Sequence, residues 1–167
     1  MFKRNKNSED DNKKIIRECP IFKGLSGSEI KASLAISHIR EFATDEKIFT
    51  EGTLGLCFYI IAKGSVEIVS DGSPHSKPQV LKEYSEGAFF SEVHLFTETN
   101  HTVTCVSKEL TRLIIFTKPD FESLIKINPK TGNKLLMNFL EFMGEQIESL
   151  YKDNKEMNQK LAQINRD

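Results

Sequence analysis

The chain has 167 residues, which fits one domain. Apolar residues make up 38% and charged residues 28%, so a packed core is expected and disorder of the whole chain is not. The net charge of −1, from 23 Lys and Arg against 24 Asp and Glu, gives no electrostatic reason to expect binding to nucleic acid or to an anionic membrane surface.

The cysteines and the apolar runs point to a cytoplasmic protein. Cys19, Cys57 and Cys105 are widely spaced and odd in number, so buried free thiols are favoured over disulfides or a zinc site. The N-terminus has no apolar segment of the secretory type. The apolar runs are also too short to cross a membrane.

The start of the chain is almost wholly polar. We therefore predict a mobile tail over residues 1–14, a folded domain over 15–134 and a long helix over 135–167. A short helix over residues 15–19 would end at Pro20. Ser26 and Glu29 then form a capping box for a second helix, whose buried stripe would include Ile30, Leu34 and residues 36–39.

The pattern changes to short strands between Arg40 and Phe116. Residues 65–69 alternate strictly between apolar and polar, and residues 71–74 (DGSP) have turn chemistry. Further strands are expected over residues 47–50, 57–62, 79–84, 102–107 and 111–116. This spacing predicts a mainly β fold, an antiparallel jelly-roll-like β-roll with flanking helices. A helix capped by Thr117 should follow the last strand and end at Asn128 and Pro129.

The last segment carries a heptad repeat, in which apolar side chains are separated alternately by four and three residues. A lone Asn at an a position favours a two-stranded parallel coiled coil, so a homodimer is expected. The alternative is a single amphipathic helix on its own domain, and the lack of complementary charges, such as Gln146 facing Tyr151, favours it. The seam is Leu136, Leu140, Met143, Ile147, Leu150, Asn154, Met157, Leu161 and Ile164.

Three segments resemble cyclic-nucleotide-binding domains of the catabolite-activator type. Residues 48–68 (IFTEGTLGLCFYIIAKGSVEI) are similar to the family's I-x-x-E-G-x-x-G-x-x-x-Y-I-I-x-x-G-x-V-x-I block. Residues 20–26 (PIFKGLS) resemble the motif P-[LI]-F-x-x-L-[ST], and residues 87–105 (GAFFSEVHLFTETNHTVTC) resemble the phosphate-binding cassette. The resemblance spans residues 20–144 and implies a β-roll with a pocket beside the long C-terminal helix.

The cassette departs from the family pattern F-G-E-x-A-L…R-[TSA]-A-x-V at several positions. Ser91 replaces the usual glycine, His94 the usual alanine, and Leu56 an acidic residue of the preceding block. The phosphate-binding arginine is absent, and His101 or Thr102 stands at its position depending on the spacer. A histidine with an ordinary pKa near 6.5 is mostly neutral at pH 7, so the exchange could cost roughly ten- to a hundred-fold in affinity.

The resemblance also implies roles for individual residues. Glu92 would accept a hydrogen bond from the ribose, the N–H groups of residues 91–93 and His101 would face the phosphate, and Thr102 would lie near the base. Two alternatives remain open: Glu92 could be a structural carboxylate, and His101 an exposed loop residue. His94 is favoured as a satisfied helix residue. The expected ligand-binding residues are Phe90, Ser91, Glu92, Val93, His101, Thr102, Ile68 and Leu81.

No nucleophile–base pair, glycine-rich phosphate loop or paired-carboxylate motif is present, so we expect neither an enzyme nor a cofactor. The spacing of Glu92, His94 and His101 matches no compact zinc pattern, so no metal is expected. We expect no DNA-binding domain, since only a few residues follow the heptad seam. We therefore expect a free-standing regulatory module that binds cAMP, cGMP or a related anion and acts on an unknown downstream protein. The alternative is a β-roll that has lost its ligand and serves as a dimerising interaction module.

Overall fold

The computed structural model describes residues 6–70 and 79–164. It confirms a mainly β fold with short N-terminal helices and a long C-terminal helix. The predicted turn over residues 71–74 lies outside the described residues. The elements are α1 (Lys6–Glu18), a 3₁₀ helix (Pro20–Phe22), α2 (Gly27–Ala35), β1 (His38–Phe42), β2 (Lys47–Phe49), β3 (Cys57–Lys63), β4 (Ser65–Ser70), β5 (Gln79–Ser85), β6 (Phe89–Phe90), a second 3₁₀ helix (Glu92–Leu95), β7 (Thr104–Ser107), β8 (Thr111–Thr117), α3 (Lys118–Ile127) and α4 (Pro129–Ile164).

Two four-stranded antiparallel sheets make up the roll, in the orders β1-β8-β3-β6 and β2-β7-β4-β5. Strand β3 is buried on both faces, which explains its continuous apolar run. Phe58 and Ile60 pack against the helices, whereas Tyr59 and Ile61 face the interior between the sheets. The pocket described below opens from this second, inter-sheet core.

The predicted capping box at the start of α2 is confirmed. The Glu29 N–H donates to Ser26 Oγ (3.3 Å), and the Ser26 N–H donates to Glu29 Oε2 (2.7 Å). Lys134 of α4 adds a hydrogen bond from Nζ to the same carboxylate oxygen at 2.8 Å. These contacts lower the pKa of Glu29 to about 2, with the Lys134 hydrogen bond as the largest cause and those from Ser26 next. The cap therefore also ties α2 to α4.

The N-terminal helix begins at Lys6, so the mobile tail predicted over residues 1–14 is wrong for residues 6–14. The polar composition hid a helical spacing of i, i+3, i+4 and i+7 in which every member is buried. Burial of this stripe against α2 and β3 compensates for the weakly apolar sequence. The stripe consists of Asn12, Ile15, Ile16 and Cys19.

Two other boundaries differ from the prediction. Residues 38 and 39 belong to β1 and not to the helical stripe, because α2 ends at Ala35 and Ile39 pairs with Ile114 of β8. Ile39 is 42% exposed. Strand β7 begins at Thr104, two residues later than predicted, which leaves His101 and Thr102 in the loop that faces the pocket.

Helix α4 begins at Pro129, earlier than the predicted residue 135. Proline is well suited to the first helical position, and Asn128 Oδ1 accepts a hydrogen bond from the Thr131 N–H (3.3 Å) in the manner of an N-cap. Leu135 and Phe139 pack against the roll. All described residues after Met143 are exposed, so the distal half of the helix extends away from the domain. No helix in the described part of the chain is long and apolar enough to cross a bilayer.

Candidate functional site

An open pocket of about 210 Å³ lies between the β4–β5 hairpin and the segment that connects β6 to β7. Seven of the eight predicted ligand-binding residues line it: Ile68, Phe90, Ser91, Glu92, Val93, His101 and Thr102. The structure therefore brings these seven residues together in one pocket. The complete lining is Phe49, Ile68, Tyr84, Phe90, Ser91, Glu92, Val93, His94, His101, Thr102 and Val103.

Leu81 is the predicted residue that does not line the pocket. In the register of β4 and β5, Ile68 is opposite Lys82 and Val66 is opposite Tyr84, so Lys82 and Tyr84 share the pocket face. Leu81 lies at a register shift between these strands and is 52% exposed. From this strand Tyr84 lines the pocket, and Leu81 does not.

Ser91 connects β6 to the 3₁₀ helix in a left-handed conformation (φ 66°). A left-handed backbone is disfavoured for residues with a side chain, which explains why a glycine would suit this position. The Ser91 hydroxyl is buried and has no hydrogen-bond partner among the described residues.

Glu92 begins the 3₁₀ helix with its carboxylate partly buried in the pocket wall. Burial raises the pKa of this carboxyl above its ordinary value, while a hydrogen bond from its own backbone N–H and the charge of Lys82 oppose the rise. A partly desolvated carboxylate in an open pocket can accept hydrogen bonds from a ligand's hydroxyl groups.

His101 is held rigidly in the pocket floor. Its ring stacks on Phe49 with centroids 3.8 Å apart and planes 7° apart. Its backbone is fixed on both sides, because the Gly52 N–H donates to the His101 carbonyl and the His101 N–H donates to the Thr53 carbonyl, each at 2.8 Å. The side chain is 5% exposed, so the alternative of an exposed loop histidine is wrong.

The ionisation of His101 is suppressed in this position. Burial, with a smaller contribution from His94, lowers the pKa of His101 to about 4. The two rings meet edge to face at 4.3 Å. Burial also lowers the pKa of His94. Both imidazoles are therefore neutral near pH 7 in the unliganded protein, and His101 does not offer the permanent charge of an arginine.

His94 occupies a space that Gly55 leaves open. A Cβ atom at residue 55 would overlap the His94 ring, so the glycine in the β2–β3 connection and the histidine of the 3₁₀ helix fit together. His94 Nδ1 also lies 3.5 Å from Thr99 Oγ1, and the residue is 9% exposed. These contacts agree with the expectation of a satisfied helix histidine.

Comparison with known proteins decides the family. The profile of the cyclic nucleotide-binding domain matches residues 39–128, which is more than half of the chain. This chain belongs to the cyclic nucleotide-binding domain family. The matched region contains both sheets of the roll except for the first residue of β1, and it contains the whole pocket.

Individual relatives are distant and mostly longer. The chain is 28% identical over 127 residues to the potassium channel KAT1 of rice, covering 76% of this chain and 17% of the channel. It is 27% identical over 116 residues to the cyclic AMP receptor protein of Thermus thermophilus, covering 70% of this chain and 53% of that protein. The chain thus spans about half or less of the length of these relatives.

A solved cyclic nucleotide-binding domain from Methylobacillus flagellatus superposes with a TM-score of 0.73. It shares 21% sequence identity, and the match covers 86% of this chain and 80% of that domain. At this identity the likeness demonstrates the fold and leaves the ligand open.

Four residues that line the pocket were not among the predicted ligand-binding residues: Phe49, Tyr84, His94 and Val103. Tyr84 was missed because the residue predicted in this strand was Leu81, and strand alternation from residue 81 puts residue 84 on the opposite face. Phe49 could not be found from the sequence, because its place depends on a register shift between β2 and β7. Across residues 6–70 and 79–164, no group of three or more His, Cys, Asp or Glu side chains could hold a metal ion.

Proposed function

We propose that this domain is a regulatory sensor that binds a cyclic nucleotide, cAMP or cGMP, or a related anionic ligand, in the modified pocket around Glu92. The observation that carries the proposal is the meeting of a partly buried carboxylate, an unpartnered Ser91 hydroxyl and an aromatic wall in one open pocket. Membership of the family supports the choice of ligand class. The role is regulatory and not catalytic, and a downstream protein would receive the signal.

Each part of the pocket suits one part of such a ligand. Glu92 is an acceptor for the ribose hydroxyl, whereas the apolar faces of Ile68 and Tyr84 suit a flat base. Ser91 and His101 lie on the cassette side, where the phosphate would bind. This assignment uses the polar groups of the pocket for the polar groups of the ligand and leaves the aromatic wall for the base.

The phosphate contact should depend on pH. The pKa of His101 is about 4 without ligand, and a phosphodiester anion beside the ring would raise it. Binding would then take up a proton, and affinity would increase as the pH falls through the pKa of the complex toward 4. If that pKa lies above 6, the affinity at pH 6 exceeds the affinity at pH 8.

The test is a calorimetric titration with cAMP and with cGMP at pH 6 and pH 8. We expect saturable binding to the wild type and a loss of about tenfold or more in Glu92→Gln, since a hydrogen bond to a charged group contributes about 1.5–3 kcal/mol. Glu86→Gln is the matched control. Glu86 is exposed and follows Tyr84 by two residues, but it does not line the pocket. If neither nucleotide at millimolar concentration gives heat of binding at pH 6 or at pH 8, the proposal of a cyclic nucleotide ligand is refuted.

The second candidate is a dimerising interaction module without a nucleotide ligand. It is favoured by the neutral, tightly stacked His101 and by the exposed apolar seam of distal α4. We propose that the seam pairs with a second copy of the chain as a two-stranded parallel coiled coil. Its exposed members are Ile147 (51%), Leu150 (65%), Met157 (61%), Leu161 (52%) and Ile164 (70%).

Sedimentation equilibrium tests the dimer separately from the ligand. Leu150→Lys should convert the dimer to a monomer, because a charge at a d position cannot be buried without a partner. Ser149→Lys adds the same charge at the neighbouring c position, which is solvent-exposed in a coiled coil, and should leave the dimer intact. A wild type that is monomeric at 100-micromolar-scale concentration would refute the pairing. A dimer with no nucleotide binding would make the interaction module the better account.

A further inference from the structure

Lys82 stands at the rim of the pocket on its apolar side. It lies directly opposite Ile68 across the β4–β5 hairpin, and Tyr84 follows it by two residues, so the three side chains share one face. The ammonium group is 4.7 Å from the centroid of the Tyr84 ring. Ile68 and Tyr84 both line the pocket, so a ligand that covers them would meet Lys82 at its edge.

Lys82 also forms no salt bridge within the described residues. The acidic side chains nearby on the outer face of the hairpin, Glu67 and Glu83, both pair with Lys108 at 3.0 Å. The charge of Lys82 opposes the rise that burial causes in the pKa of Glu92. The ammonium group lies over the ring of Tyr84, which lines the pocket, and the lining itself contains no lysine or arginine.

We propose that Lys82 selects a purine base that presents hydrogen-bond acceptors at its edge, so that the pocket prefers a guanine cyclic nucleotide to an adenine one. This inference rests on the proposed function and names the specificity of that site. A lysine ammonium has three donors and no acceptor. Guanine offers it two neighbouring acceptors, O6 and N7, whereas adenine places its N6 amino donor beside N7. The ammonium group would therefore meet an acceptor pair in guanine and a competing donor in adenine.

The surroundings of Lys82 favour a contact to the base over a contact to the phosphate. Its neighbours on the pocket face are the apolar side chain of Ile68 and the ring of Tyr84, which suit a flat heterocycle. The polar groups that suit a phosphate, the Ser91 hydroxyl and the His101 ring, belong to the β6–β7 segment across the pocket. With the ribose at Glu92, the base therefore points toward the hairpin.

The experiment compares three ligands on three proteins. The ligands are cGMP, cAMP and cyclic inosine monophosphate, which keeps O6 and N7 but lacks the 2-amino group of guanine. The proteins are the wild type, Lys82→Met and the control Lys126→Met, which removes an exposed lysine from α3 outside the pocket lining. Dissociation constants come from calorimetry at pH 7, and thermal melting verifies that each protein is folded.

We expect the wild type and Lys126→Met to bind cGMP and the inosine nucleotide about tenfold more tightly than cAMP, as one charge-assisted hydrogen bond would give. Lys82→Met should weaken these two ligands and bring all three within about twofold. An unchanged preference in Lys82→Met would overturn the inference. So would an equal loss for all three ligands, because it would place the lysine on the phosphate or make it act through Glu92. Failure of the wild type to bind any of the three would refute the proposed function and this inference together.

Discussion

The stacked, neutral state of His101 predicts how stability changes with pH. The pKa of His101 is about 4 in the folded protein, against an ordinary value near 6.5 in the unfolded chain. The unfolded state therefore binds the proton more tightly, and the free energy of unfolding falls as the pH drops from 6.5 toward 4. If the depression holds in full, the loss between pH 7 and pH 5 is about 2 kcal/mol.

Urea unfolding at pH 7 and pH 5 measures this loss. The matched variant is His101→Phe, which keeps an aromatic ring on Phe49 but cannot titrate. We expect the wild type to lose about 1–2 kcal/mol more than the variant between the two pH values, the lower figure allowing for partial release of the charged ring into solvent. Identical losses in both proteins would show that His101 has the same pKa in the folded and unfolded states, which would refute the lowering of its pKa by burial.

Three further substitutions test the framework of the site and its support. Ser91→Gly should raise the free energy of unfolding by about 1 kcal/mol in urea unfolding, because glycine adopts the left-handed backbone without strain, and a marked loss would contradict this reading. Gly55→Ala should cost about 1–3 kcal/mol through overlap with the His94 ring, and most of this cost should vanish in a His94→Ala background; an equal cost in both backgrounds would place the strain elsewhere. Lys134→Met should move the pKa of Glu29 back toward its ordinary value, as followed by carboxyl NMR titration, and an unmoved titration would exclude the ion pair as the main cause.

The sequence predicted the strands well where apolar residues alternate with polar ones or form a continuous run. Alternation over residues 65–69 and the continuous apolar run of β3 both became strands, and the capping box at Ser26 and Glu29 formed as expected. Prediction failed in α1, where the buried stripe begins with a polar Asn12 and the helix depends on packing against α2 and β3. Composition cannot reveal a helix of this kind, because tertiary contacts and not intrinsic propensity stabilise it.

The candidate site was predictable as a surface but not as an electrostatic environment. Motif positions placed Glu92 and His101 in the same pocket, which the structure bears out. The pKa of His101 depends on its stack against Phe49 and on the neighbouring ring of His94. Phe49 is far from His101 in the chain, and the contact with His94 depends on how the loop between the two histidines folds. Leu81 failed for a simpler reason, because strand alternation and the register shift place it on the opposite face from Lys82 and Tyr84.

The departures from the family cassette make sense together as one rearranged site. His94 is larger than the usual alanine and fits because residue 55 has no side chain. The His94 ring then packs edge to face on His101, which in turn lies flat on Phe49, so the position of the missing arginine is filled by a neutral aromatic stack. Positive charge near this pocket comes instead from Lys82, whose ammonium lies over the ring of Tyr84. A ligand of this site would therefore be held by Glu92 and the hairpin more than by its phosphate, and differences in the base should influence affinity more than they do where an arginine binds the phosphate.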